Sequence, residues 1–175
     1  MKKIIVFAFV VSIFMFSGYA QAESVKVPIN KVSAEGIGDQ IGNITFTDAN
    51  KGGVDIMVEI NGISAGEHGM HIHVNPDCGP AMKDGKPVAA LAAGGHYDPN
   101  DAKFHAGPEK MGHKGDLPKI MVDNSNKVKV NLHAPRLTVK DIKGHSVIVH
   151  AGGDNYSDNP PLGGGGDRIA CGVIK

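Results

Sequence analysis

The chain has 175 residues, with 18 lysines and arginines set against 18 acidic residues, 24 glycines and no tryptophan. Without a cationic excess it does not read as a binder of nucleic acid or of anionic membranes, and its length allows one domain with a sizeable core. Abundant glycine and missing tryptophan suit a loop-rich β protein better than a helical one.

Lys2 and Lys3 come first, followed by an almost unbroken apolar stretch over residues 4–16 and then by Ala20-Gln21-Ala22. A positive start, a short apolar run and an A-x-A ending characterise a cleavable secretory leader. The run is too short for a comfortable membrane span. The expected organisation is a signal peptide at 1–22 and one exported domain at 23–175, with no membrane association once the leader is gone. Removal of the two leader lysines leaves the mature chain slightly acidic.

Beyond the leader, residues 24–33 read as the first strand. Ile44 and Phe46 alternate with Asn43, Thr45 and Thr47, and Val54, Ile56, Val58 and Ile60 alternate with Asp55, Met57 and Glu59. That period of two belongs to half-buried strands. Turn residues at 48–53 join the two runs, so 41–61 reads as a β-hairpin. Further strands are expected at 68–74, 118–123, around Val128, Val130 and Leu132, at 145–150 and at 168–174. Since no window offers an amphipathic helix of three turns, the pattern predicts an all-β antiparallel sandwich or flattened barrel. Two stretches without strand character, 75–117 and 151–167, are long enough to be functional loops. Cys78 and Cys171 are the only cysteines. In an oxidising compartment such a pair, without CxxC spacing, reads as one structural disulfide, contributing about 4–5 kcal/mol in the chain-entropy model.

The chemistry begins at Gly69-Met70-His71-Ile72-His73. In a strand, residues two apart share a face, so His71 and His73 project together while Met70, Ile72 and Val74 are expected to face the core. A second cluster follows: His96, His105, His113 and Asp116 fall in a segment rich in Gly and Pro. Such a loop has no hydrophobic reason to be ordered, and a bound divalent cation would supply one. Three imidazole nitrogens and one carboxylate oxygen fill a tetrahedral shell of the kind a structural zinc requires. His150 then ends an apolar strand, where it could complete the site begun by His71 and His73. Asp154 opens the next loop and could accept N–H bonds from ligand imidazoles.

On these residues the chain resembles the copper,zinc superoxide dismutase family. The resemblance spans essentially the whole mature sequence. It is carried by Gly69-Met70-His71-Ile72-His73, Ala93-Gly94-Gly95-His96, His105-Ala106-Gly107-Pro108, His113-Lys114-Gly115-Asp116-Leu117, Val149-His150 and Arg168-Ile169-Ala170-Cys171-Gly172-Val173-Ile174. Ala134-Pro135-Arg136-Leu137, Gly152-Gly153-Asp154-Asn155-Tyr156-Ser157-Asp158 and Leu162-Gly163-Gly164-Gly165-Gly166 are similar to its bacterial, periplasmic branch.

The resemblance implies a Greek-key β-sandwich or flattened barrel of about eight antiparallel strands with two long functional loops. It implies one copper and one zinc per subunit, superoxide as substrate, a periplasmic location, and a monomer or homodimer. His71, His73 and His150 would bind copper; His105, His113 and Asp116 would bind zinc; His96 would bridge the metals and relay a proton. Asp154 would link His71 to His105, and Cys78–Cys171 would be the intrasubunit disulfide. Arg168 would dock the anion with a fixed guanidinium. Because the loop from 155 to 167 contains no lysine, Lys83 and Lys86 are expected to steer the substrate. His68 is similar to a structural histidine beside the copper strand, and His133 and His145 are expected to be structural or on the surface. Two rivals are a metal carrier, which has no need of Arg168, and a zinc hydrolase, for which no separate general base is evident.

Overall fold

The computed structural model describes residues 22–175; all but the last residue of the expected leader lies outside the described residues. The strands are β1 (Ser24–Ser33), β2 (Gly36–Asp48), β3 (Val54–Asn61), β4 (Gly66–His68), β5 (Met70–His73), β6 (Ala81–Lys83), β7 (Lys86–Val88), β8 (Ile120–Val122), β9 (Lys127–Ala134), β10 (Ser146–His150) and β11 (Arg168–Val173). One α-helical turn, α1 (Val139–Ile142), precedes β10. Seven of these strands form an antiparallel sheet in the order β5-β10-β11-β1-β2-β3-β9, while β4 pairs with β8 and β6 with β7.

The crossings from β3 to β5 and from β9 to β10 carry the chain between the two edges of the sheet, as in a Greek key. β4 runs into β5 after a single residue, and the turn at 123–126 joins β8 to β9. The β4–β8 pair therefore ties together the edges formed by β5 and β9, and the sheet curls upon itself.

Alternation places the core. On β3, Val54, Ile56, Val58 and Ile60 are buried while Asp55 and Met57 face out. Ile44 lies opposite Val58 and Phe46 opposite Ile56, so the hairpin delivers matched pairs of apolar side chains to one face. Met70, Ile72, Val147 and Val149 close the same cluster from the far side. A smaller cluster of Val32, Ala90, Ala93 and Ile148 surrounds the Cys78–Cys171 disulfide, whose Cα atoms are 5.7 Å apart.

Three local differences from the sequence reading have physical causes. β2 begins at Gly36, ahead of position 41, because residues 36–40 pair with the end of β1 across register shifts at Asn30. The stretch 75–117 contains the hairpin β6–β7, whose turn residues Asp84 and Gly85 both take positive φ, 51° and 76°, the geometry of a tight hairpin turn. Val74 is 44% exposed and does not face the core. β5 ends at His73, and the Val74 N–H donates to the carbonyl of Gly95 in a neighbouring loop.

Candidate metal centre

β5 is buried on both faces. Met70 and Ile72 enter the core, and His71 and His73 occupy the opposite face with almost no exposure. β10 lies beside it with Ile148 opposite His71 and Ser146 opposite His73. His150, two residues beyond Ile148, therefore projects on the same side as the two β5 histidines. Its cross-strand partner on β11 is Arg168.

The other edge of β5 is covered by two loop segments rather than a strand. The Ile72 N–H donates to Gly115 O (2.8 Å), Tyr97 N–H to Ile72 O (2.8 Å) and Leu117 N–H to Met70 O (3.2 Å), and Gly115 N–H donates to Tyr97 O (2.8 Å). These bonds set His96 beside His73 and Asp116 beside His71. Gly115 is required by close approach, because a Cβ there would stand 2.4 Å from the Ile72 carbonyl oxygen. Residues 98–114 form an excursion from β5 and back.

Two groups of ligand atoms result. His71, His73, His96 and His150 each offer a ring nitrogen within 4.8 Å of the others. On the loop side, Asp116 Oδ1 is 2.9 Å from His105 Nδ1, 3.3 Å from His96 Nδ1 and 3.6 Å from His113 Nδ1. Four ligands bound tetrahedrally at about 2.0–2.1 Å stand about 3.3–3.4 Å apart, and these separations bracket that figure. Asp116 Oδ2 is meanwhile held by the N–H groups of Ala106 (3.1 Å) and Gly107 (3.2 Å), which fixes the carboxylate plane.

The ring nitrogens supply the test of fit. His71 Nδ1, His73 Nε2, His113 Nδ1 and His150 Nε2 are buried without a hydrogen-bond partner among the described residues, and His105 Nδ1 faces only the Asp116 carboxylate, at 2.9 Å. Their opposite nitrogens, in four cases, are committed outward. His71 Nε2 and His105 Nε2 donate to the two oxygens of Asp154 at 2.8 Å each, His73 Nδ1 donates to Gly94 O at 2.9 Å and His150 Nδ1 to Gly166 O at 3.1 Å. An outward N–H fixes the tautomer and leaves a lone pair on the inward nitrogen. Orphaned acceptors this deeply buried are costly and are what a pair of cations would satisfy.

Electrostatics separates the two groups. Burial pushes the His71 ring down to about 3 despite the Asp154 carboxylate, and pushes His150 to about 4 despite its bond to Gly166. Burial likewise holds His73 well below the usual histidine range. His105 goes the other way: burial depresses it, but hydrogen bonds to Asp116 and Asp154 outweigh that and raise it to about 9. Asp116 and Asp154 lie below the ordinary carboxylate range because their histidine partners overcome the penalty of burial.

The structure also brings in Glu67 and Lys119, which the sequence reading did not single out, and shows what the remaining residues around the site hold. Lys119 Nζ donates to the Asp154 carbonyl (3.1 Å) and pairs with Glu67 (2.8 Å), while the Asp154 N–H donates to Glu67 (3.3 Å). Gly163 packs directly on Asp154 with φ 74°, where a Cβ would lie 2.1 Å from Oδ1. Arg136 donates to four carbonyls of the loop. Arg168 donates to Ala90 O and Gly94 O at 2.6 Å each, and thus shares the Gly94 carbonyl with His73. His68 spans the carbonyls of His150 (2.7 Å) and Ser64 (2.9 Å) beneath β5. His133 pairs with Asp55, and His145 bonds to Val74 O, so neither joins the cluster.

A curled Greek-key β fold that converges buried imidazoles and one carboxylate on two adjoining points defines a two-metal protein. A family model described as copper/zinc superoxide dismutase matches residues 40–174. A Cu-Zn superoxide dismutase of Escherichia coli (strain K12) is 50% identical over 158 residues, covering 89% of this chain and 91% of that protein. The structure of Cu/Zn superoxide dismutase from Brucella abortus superposes with a TM-score of 0.85 at 48% identity, covering 87% of this chain and 100% of that one. The solution structure of the monomeric copper, zinc superoxide dismutase from Salmonella enterica gives a TM-score of 0.78, also at 48% identity and with the same coverage. The chain belongs to the copper/zinc superoxide dismutase family. It is an oxidoreductase that dismutates superoxide with one copper and one zinc per subunit, which sets aside the carrier and hydrolase readings.

Proposed function

We propose that His71, His73 and His150 hold the copper, that His105, His113 and Asp116 hold the zinc, and that the His96 ring is shared between them. The observation that carries this reading is the orientation of the buried ring nitrogens, four of them on rings fixed by an outward N–H bond. His71 also offers a ring nitrogen within 4.8 Å of ligand atoms of His96, His105 and Asp116. His113 makes the better fourth corner there, because its Nδ1 is unpartnered 3.6 Å from Asp116 Oδ1.

Copper held by imidazoles can take and return one electron, while zinc has no accessible redox change and serves as a fixed positive centre. The residues do the rest. With His96 Nδ1 on the Asp116 side, His96 Nε2 is the atom that can hold a proton and hand it to the reduced product. Two superoxide ions and two protons thereby yield one oxygen and one hydrogen peroxide. Arg168 keeps its guanidinium rigid through Ala90 and Gly94, and its remaining N–H donors bind the incoming anion. Lys83 and Lys86, both exposed on the β6–β7 hairpin, attract the anion from solution. Neutralising both should flatten the dependence of the rate on salt; an unchanged slope removes them from the account.

The first 22 residues act as an export leader and residues 23–175 as the working domain, protecting the cell envelope from superoxide arising outside the cytoplasm. Glu23 supports that boundary: its carbonyl accepts the Asp48 N–H at 2.8 Å and its carboxylate pairs with Lys143. The disulfide fits an oxidising compartment. Mass measurement of protein recovered from the periplasmic fraction should show Glu23 as the first residue.

The decisive experiment for the ligand assignment is a superoxide assay with metal analysis on His150→Ala and His113→Ala. The first should lose copper and nearly all activity while keeping zinc, and the second should lose zinc while still binding copper. Full activity in the His150 variant would break the assignment.

A further inference from the structure

The loop from 104 to 116 contains hardly any main-chain hydrogen bonds of its own. Its internal main-chain bonds are His113 N–H to Phe104 O (3.0 Å) and Asp116 N–H to His113 O (3.3 Å). Carbonyls that would otherwise be idle point instead at one side chain. Arg136 Nε donates to Pro108 O (2.8 Å), Nη1 to Gly112 O (3.2 Å), and Nη2 to both Gly107 O (3.2 Å) and His113 O (2.6 Å). The guanidinium is half-buried and donates to no carboxylate among the described residues. Four carbonyl dipoles therefore face the charge directly, and the carboxylates of Asp116 and Glu109 add attraction without bonding to it.

The placement of those carbonyls matters. Gly107 and Pro108 follow His105 by two and three residues, and Gly112 and His113 lie on the returning limb. One planar fork thus clips together the outgoing limb that carries His105 and the returning limb that carries His113. The fork is anchored from outside the loop, between the end of β9 and the capped turn α1, where Thr138 and Asp141 cap each other reciprocally. A lysine has neither the planar geometry nor the donor count to do the same.

We propose that Arg136 is the positioning residue of the zinc half-site: by bonding to both limbs of the loop it presets the spacing of His105 and His113 and thereby sets zinc affinity. This rests on the reading that His105, His113 and Asp116 hold the zinc. Arg136 touches neither substrate nor a ligand nitrogen, so its effect falls on zinc and leaves the strand-borne copper ligands alone.

The test is zinc affinity by chelator competition on the disulfide-closed protein, with copper affinity measured in parallel. Arg136→Gln should weaken zinc by about tenfold or more, the usual effect of losing a group that supports a ligand, and change copper affinity by less than about threefold. Arg136→Lys should fall between wild type and the glutamine variant, and it carries the same test should the glutamine variant not fold. Val58→Ala, in the core of β3 and remote from the loop, should lower thermal stability and leave zinc affinity within about threefold. Unchanged zinc affinity in the Arg136 variants overturns the inference, as does an equal loss in Val58→Ala, which would make the effect a general one. His113→Ala is the separate check on the ligand reading: if it retains zinc, the assignment of ligands fails, whatever Arg136 does.

Discussion

His71, His73 and His150 stand on β5 and β10, neighbouring strands whose main chains bond in register. His105 and His113 stand on an excursion that leaves β5 at Tyr97 and rejoins it at Gly115. The strand half receives its geometry from the sheet: the same alternation that buries Met70 and Ile72 turns the histidines to the opposite face. The loop half takes its geometry from side chains, with Asp116 gripping two amides, Asp154 and Asp158 gripping His105, and Arg136 gripping four carbonyls. A half-site made by a sheet is present before its metal arrives, whereas one made by a loop gains much of its order from the metal.

The largest effect that would sharpen this contrast is expected from Asp116→Ala. It removes a proposed zinc ligand and the acceptor of the Ala106 and Gly107 N–H groups together. Zinc affinity should fall by at least about 100-fold, beyond the range for losing a supporting partner, while copper binding persists. Chelator competition for each metal checks it, and simultaneous loss of copper would erase the distinction between the halves.

Asp154→Asn should rank next, because Asp154 is the side chain that reaches into both halves, 2.8 Å from His71 and from His105. An amide can accept from only one of the two rings with its single oxygen. Both affinities should fall by about 10–100-fold, the only substitution here expected to weaken copper and zinc together. A loss confined to one metal would show that the bridge couples nothing.

Acidification should produce a smaller, graded separation. In the metal-free protein the raised His105, at about 9, carries a proton at neutral pH that zinc, on the proposed assignment, must displace. Apparent zinc affinity therefore declines by up to about tenfold per pH unit as pH falls below that value. The depressed His71 and His150, at about 3 and about 4, remain unprotonated until the solution is far more acidic. Titration from pH 8 downward, with released metals assayed, should show zinc leaving first; copper leaving first would reverse the assignment of the softer half.

The division between halves also marks what could be read from the sequence. Strand periodicity made β3 and the His71–His73 face legible, since a period of two needs no knowledge of the partner strand. Val74 was misplaced because alternation does not say where a strand stops, and here the Gly95 carbonyl captures its N–H. His96, His105, His113 and Asp116 were legible as a candidate cation site from their residue types in a Gly- and Pro-rich segment, and their separate roles came only by resemblance, since no periodicity locates them. Arg136 was visible only as part of Ala134-Pro135-Arg136-Leu137, because its partners are main-chain carbonyls, which leave no trace in residue identity. Glu67 and Lys119 were missed for the same reason: what they hold is the backbone of Asp154.

Amide hydrogen exchange on the disulfide-closed, metal-free protein tests the contrast most directly. Amides of β5 and β10 should exchange slowly, those from 104 to 114 much faster, and zinc alone should bring the loop to protection like that of the strands. Equal protection of both regions before zinc is added, or a loop that zinc does not slow, would contradict the account.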